Sequence, residues 1–134
     1  MNVLETYTRE EVVAHMLRTL GITAHQLGWE YLNIAINLSI EDAGYLRSIT
    51  KRLYPTVAER TGSTPQRVER AIRHSIEDTF DRAYTGSMMR QVFESLVDAD
   101  RYPCASLFIA TLVELYNKEK HHPIFNIGGI TVEQ

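Results

Sequence analysis

The stretch from residue 55 to residue 84 constrains the fold most, because it joins a short apolar-polar segment to a long helical pattern through Thr61-Gly62-Ser63. Thr64 can cap a helix start with its hydroxyl oxygen, and Pro65 has no N–H to lose at the first helical position. Ser63 and Gln66 offer an alternative capping box one residue earlier. At about 100° per residue, Val68, Ile72 and Ile76 fall on one side, joined by Ser75, Thr79 and Ala83. Gln66, Glu69, Arg70, Arg73, His74 and Glu77 fall opposite, with Arg67 at the edge of that group. The spacing predicts a short helix over 56 to 60, a tight turn, and a long helix from about 65 to 83. That is the arrangement of a helix-turn-helix, whose second helix enters the DNA major groove with its N-terminal half. Arginine, glutamine and glutamate are side chains that read base edges. The competing reading is a solvated surface helix, with Glu69–Arg73 and Arg73–Glu77 as i,i+4 ion pairs worth only a few tenths of a kcal/mol each.

The rest of the chain also reads as helix. Thr8 and Glu11 form a capping box, Val12, Val13, Met16, Leu17 and Leu20 follow at helical spacing, and Gly21 sits where a C-cap glycine belongs. A second helix from about 24 to 39 is apolar over most of its circumference and is expected at the centre. A third segment, 41 to 54, carries Leu46, Ile49 and Leu53 on one face, and Pro55 breaks it or starts the next helix. A fifth helix is expected over 88 to 97 and a sixth over 105 to 120, the last with Phe108, Ile109, Leu112, Val113 and Tyr116 as its buried stripe. The tail reads as two short strands, 124–127 and 130–132, around Gly128-Gly129. The expected fold class is therefore all-α, a six-helix bundle containing a helix-turn-helix, with a short C-terminal β-hairpin. The helical domain spans 1–122 and the tail 123–134.

Charge is segregated. From Arg47 to Arg90 the chain holds nine of its fourteen basic residues (Arg47, Lys51, Arg52, Arg60, Arg67, Arg70, Arg73, Arg82 and Arg90) against five acids, a balance of +4 within a chain of net charge −3. A basic middle in an acidic chain is the footprint of a localised anionic partner. One cysteine, Cys104, excludes a disulfide framework, suits a reducing cytoplasm, and is expected as a small buried residue at a helix start. No apolar run approaches the ~20 residues of a membrane span, and the polar, acidic N-terminus is not a secretory signal. There is no phosphate-binding glycine loop, no H-E-x-x-H pattern and no catalytic triad pattern. His121-His122 has no acid or cysteine at ligand spacing, so no metal, no cofactor and no enzymatic activity are expected.

Several pieces then resemble one family in order: Leu20-Gly21-Ile22-Thr23-Ala24-His25, Gly28-Trp29-Glu30-Tyr31-Leu32, Ser48-Ile49-Thr50-Lys51-Arg52-Leu53-Tyr54-Pro55, the run Arg67 to His74, and Phe108-Ile109-Ala110. Over about residues 10 to 120 the chain resembles the C-terminal DNA-binding domain of the sporulation-initiation response regulator. The resemblance implies a six-helix bundle that binds duplex DNA at promoter boxes of the TGTCGAA type, commonly as paired domains. It implies base-reading roles for Arg67, Glu69 and Arg70, and phosphate or further groove contacts for Arg73 and His74. Gln66 stands where the family usually begins this helix with a small residue. The family regulator carries an N-terminal phosphoacceptor domain, and the few residues before the first helix here leave no room for one. The expected function is a cytoplasmic, sequence-specific transcription regulator without an attached receiver, forming a homodimer through the last helix and the tail. The alternative is a protein-interaction module on the same fold, in which the face of residues 66 to 77 would be covered.

Overall fold

The first helix, α1 (Arg9–Leu20), begins at its capping box. The Thr8 hydroxyl accepts from the Glu11 N–H at 3.1 Å, and the Thr8 N–H donates to Glu11 Oε1 at 2.9 Å. That backbone bond holds the Glu11 carboxyl below its ordinary range. Gly21 ends the helix at φ 104°, a left-handed conformation that glycine adopts without a Cβ penalty. The computed structural model describes residues 3–98 and 101–126, with six α-helices and no strand among them.

α2 spans Leu27–Glu41, starting three residues later than the apolar pattern suggests. Thr23, Ala24 and His25 form a turn in which the Thr23 N–H donates to Gln26 Oε1 at 3.1 Å, so Gln26 becomes the cap residue. Tyr31, Leu32, Ala35, Ile36 and Leu38 are buried, and α2 packs against α1, α4 (Pro65–Arg82) and α6 (Ala105–Lys118). The expected 41–54 helix is instead two short turns. Asp42 restarts the chain by accepting from the Gly44 N–H at 2.8 Å, which opens a 3-10 turn over Ala43–Arg47. A π-helical turn, Ile49–Leu53, then leads directly into α3 (Tyr54–Thr61). Pro55 sits in the first turn of α3, where its missing N–H costs nothing. α5 is shorter than expected, Met88–Phe93, and finishes as a 3-10 turn over Glu94–Leu96.

The tail departs from the expected hairpin. Residues Pro123–Phe125 form a 3-10 turn. The Ile124 N–H donates to His122 Nδ1 and the Phe125 N–H to the His122 carbonyl, both at 3.0 Å, so these donors are spent locally. Neighbouring side chains of a strand face opposite ways, whereas here Ile124 and Phe125 are both fully buried in the core, with the turn packed on α1. The rest of the expected hairpin, Ile127 to Val132, lies outside the described residues.

Candidate nucleic-acid interface

α3, a turn at Gly62 and α4 form the helix-turn-helix. Gly62 takes φ 69°, the left-handed value, and its N–H and that of Ser63 return to the Ala58 carbonyl. Thr64 caps α4 by accepting from the Arg67 N–H at 3.2 Å. Val68, Ile72 and Ile76 are buried with Ser75, Thr79 and Phe80, which fixes the rotation of α4 about its axis. The rotation turns Gln66, Arg67, Arg70, Arg73 and His74 to solvent, with Glu69 half-buried. The structure therefore brings all six sequence-predicted site residues onto one open face.

Close packing against α2 sets the depth of α4. At Gly28 an added Cβ would lie 2.6 Å from the Ala71 carbonyl oxygen and would also collide with the Ser75 hydroxyl. Only glycine permits this approach. Three grooves border the exposed face, one of them of about 550 Å³ between Glu69, Arg73 and Glu77 and the loop at Tyr102 and Pro103. A second, of about 320 Å³ beside α3, is lined by Thr50, Tyr54, Pro65, Gln66, Glu69, Arg70 and Arg73. The third, of about 770 Å³ at the start of α2, brings Gln26, Leu27 and Gly28 beside Arg67, Arg70 and His74. Leu27 is 60% exposed there. Thr50, Tyr54, Gln26 and Leu27 were not singled out as site residues in the sequence. No local signal marks them, because they reach α4 only through tertiary packing.

The electrostatics sort the basic residues into two groups. Arg52 pairs with Asp42 at 3.1 Å and lies over the Tyr45 ring at 4.4 Å, helping to hold the Asp42 carboxyl down after the larger effect of the Gly44 N–H. Arg82 pairs with Asp78 at 3.1 Å. Arg90 donates to the carbonyls of Phe80 at 3.1 Å and Ala83 at 3.3 Å, so its charge meets the negative end of α4. Arg73 donates from Nε to Glu69 Oε1 at 3.0 Å, and this bond, with the glutamate's charge, holds its guanidinium still more firmly protonated. Arg47, Lys51, Arg60, Arg67 and Arg70 are exposed and make no ion pair among the described residues. Behind the face, the Tyr54 phenol is pushed up to about 12, first by burial and then by the Glu69 charge, and so stays neutral.

Cys104 is exposed at the cap position of α6, contrary to the expected buried residue; the neighbouring Pro103 takes the buried place. No group of three His, Cys, Asp or Glu side chains among the described residues is placed to hold a metal ion. No helix among them is long and apolar enough to cross a membrane.

Residues 13–115 match the family described as sporulation initiation factor Spo0A C terminal. It is a family of DNA-binding domains, not of enzymes. The matched span contains the whole helix-turn-helix and all six residues of the exposed face. The all-α bundle and the match over most of its length agree, and the chain belongs to the Spo0A C-terminal family of DNA-binding effector domains, which act in transcription regulation and sporulation.

Proposed function

We propose that this protein is a sequence-specific regulator of transcription that docks α4 in the major groove of promoter boxes of the TGTCGAA type. The observation that carries the reading is the pair Arg67 and Arg70, exposed and without an ion pair among the described residues, on the N-terminal half of a closely packed helix. Each can make a bidentate pair with guanine, worth ~1–3 kcal/mol of discrimination. Glu69 accepts from a cytosine amino group, Gln66 meets the edge of the box, and His74 faces the backbone. Among the described residues, the tail turn Pro123–Phe125 packs on α1, and Gln66, Arg67, Arg70, Arg73 and His74 are exposed. That favours DNA over the protein-interaction reading.

The reading places the protein in the cytoplasm with the chromosome. Two copies would occupy paired boxes. The apolar stripe of α6 and Phe125 are spent on the core, so a homodimer through the last helix and tail would meet on their exposed edges.

The test is binding of the chain to a box duplex and a scrambled duplex across a salt titration. Each cation that displaces counterions contributes about −0.9 to the slope of log K against log salt. The slope should approach about −2.7 if Arg47, Lys51 and Arg60, the exposed cations not assigned to bases, each neutralise one phosphate. Arg70→Ala should weaken the box far more than the scrambled duplex. A flat titration, or equal affinity for both duplexes, refutes the proposal.

A further inference from the structure

Arg73 differs from the other arginines on the exposed face, because the protein itself engages its charge. Glu69 lies one turn before it, bonded at 3.0 Å, and the carboxylate of Glu77 acts on it from one turn after. The stripe 69–73–77 thus carries two negative charges and one positive. A guanidinium whose Nε–H is spent on Glu69 is less free to turn to a phosphate. What it supplies is a fixed carboxylate. Only Oε1 of Glu69 takes the bond from Arg73, and Oε2 has no hydrogen-bond partner among the described residues. The Glu69 side chain is 42% exposed and lies in the groove beside Thr50 and Tyr54. One oxygen is held and the other is open to an incoming donor.

We propose that Arg73 is a positioning residue for base recognition. Its guanidinium orients the Glu69 carboxylate toward a cytosine amino group and screens that carboxylate from the phosphates, and it is not itself a phosphate contact. The proposal rests on the DNA reading above and gives Arg73 a role different from its expected place at the backbone. Two physical effects support it. A free glutamate loses rotamer freedom on binding, at a cost of about tenfold in affinity if it must be frozen at that moment. An unpaired carboxylate near phosphates is also repelled by them. The Glu69–Arg73 bond, already present in the free protein, offsets a part of each.

The experiment uses the full chain and a set of box duplexes, each with one base pair changed. The cytosine read by Glu69 is the pair at which Glu69→Ala loses preference. At that pair Arg73→Ala should lose about twofold of the preference, the worth of an exposed i,i+4 pair, while the preference lost in Arg70→Ala stays intact. Its salt slope should stay within about half a unit of the unsubstituted protein, because no phosphate contact is removed. Arg73→Lys keeps the charge but lacks the planar Nε–H donor, and should lose preference at the same pair as well. Glu69→Ala/Arg73→Ala should lose no more preference than Glu69→Ala alone. The proposal is overturned if Arg73→Ala flattens the slope by about 0.9 with every preference intact, the signature of a phosphate contact. It is equally overturned if Arg73→Lys behaves as unsubstituted protein, or if Glu69→Ala loses preference at no pair. Failure of the unsubstituted protein to prefer the box over a scrambled duplex is a different result, and removes the DNA reading itself.

Discussion

Replacing Gly28 with alanine tests how α4 is seated, and the structure sets the size of the effect. Gly28 lies in the first turn of α2, facing Ala71 and Ser75 of α4. The Ser75 hydroxyl can rotate away from a new methyl group. The Ala71 carbonyl oxygen is backbone, and the new Cβ would lie 2.6 Å from it. The two helices must therefore separate by most of an ångström to reach ordinary contact. Such overpacking costs typically 1–3 kcal/mol. The upper end applies here, because the obstacle is a helix backbone, which cannot rotate aside as a side chain can. Alanine's better helix propensity recovers at most ~1 kcal/mol of this. A net loss of about 2 kcal/mol should lower the melting temperature of a 134-residue domain by roughly 7 °C. The assay is urea unfolding followed by circular dichroism, with m compared so that a change in midpoint reads as a change in stability. Box affinity measured well below the melting temperature should also fall, since the shift tilts Arg67 and Arg70 from their places. A loss under ~0.5 kcal/mol, with native box affinity, would refute the close approach and the claim that Gly28 sets the depth of the recognition helix.

Phe125→Ala removes a fully buried ring from the turn packed on α1, and should cost about 3–5 kcal/mol, read as a fall of more than ~10 °C in melting temperature; a change under ~2 °C would show that the turn is not part of the core. His15 is held below its ordinary value of 6.5, first by burial and then by the Arg18 charge, against the opposing backbone bonds to Asn126 and Ile124. Its folded pKa is thus lower than its unfolded one, so the unfolded chain binds more protons in between, and this share of stability is present above pH 6.5 and lost as pH falls from there through the lower folded value. The urea midpoint should drop between pH 7.5 and 5.5, and His15→Gln should flatten that drop; an equally steep drop in the variant refutes the assignment. Glu11 and Asp42 have depressed carboxyl pKa values, so their contribution is present above their ordinary values of 4.5 and 3.8 and lost as pH falls further. Glu11→Gln should lessen the acid sensitivity below pH 4.5, and no change in the acid limb of a pH titration would argue against the capping box as its source.

Much of the fold was legible because its signals are local. A capping box, a left-handed glycine and a helical stripe each act within a few residues, which is why Thr8, Gly21, Thr64 and Pro65 mark helix ends correctly. The face of α4 was legible for the same reason: burying Val68, Ile72 and Ile76 leaves only one orientation for Gln66, Arg67, Arg70 and Arg73. The segment 41–54 was not. Its apolar spacing suits one helix, but Asp42 closes a short turn, and the ladder before Pro55 shifts to a π register, with Leu53 returning to Ser48 at 3.1 Å. The tail misled for a related reason. Alternating apolar residues around two glycines suit a hairpin, yet Pro123 and His122 close a tight turn that buries Ile124 and Phe125 together.

By itself the sequence determined the helical class, the helix-turn-helix and the identity of the exposed face, because periodicity and capping are properties of a single segment. It also determined that positive charge gathers in the middle of the chain. Helical spacing already set Arg73 against Glu69 and Arg82 against Asp78, and tertiary structure decided which of the other charges remain available. Arg52 and Arg90 are drawn into a pair and a cap within the fold, and Arg67 and Arg70 are left open among the described residues. Residue counts cannot make that division. It depends on which carboxylate or carbonyl lies within about 3 Å of each guanidinium, and Arg52 and Arg90 find theirs ten residues back along the chain, brought near by turns that no helical period predicts.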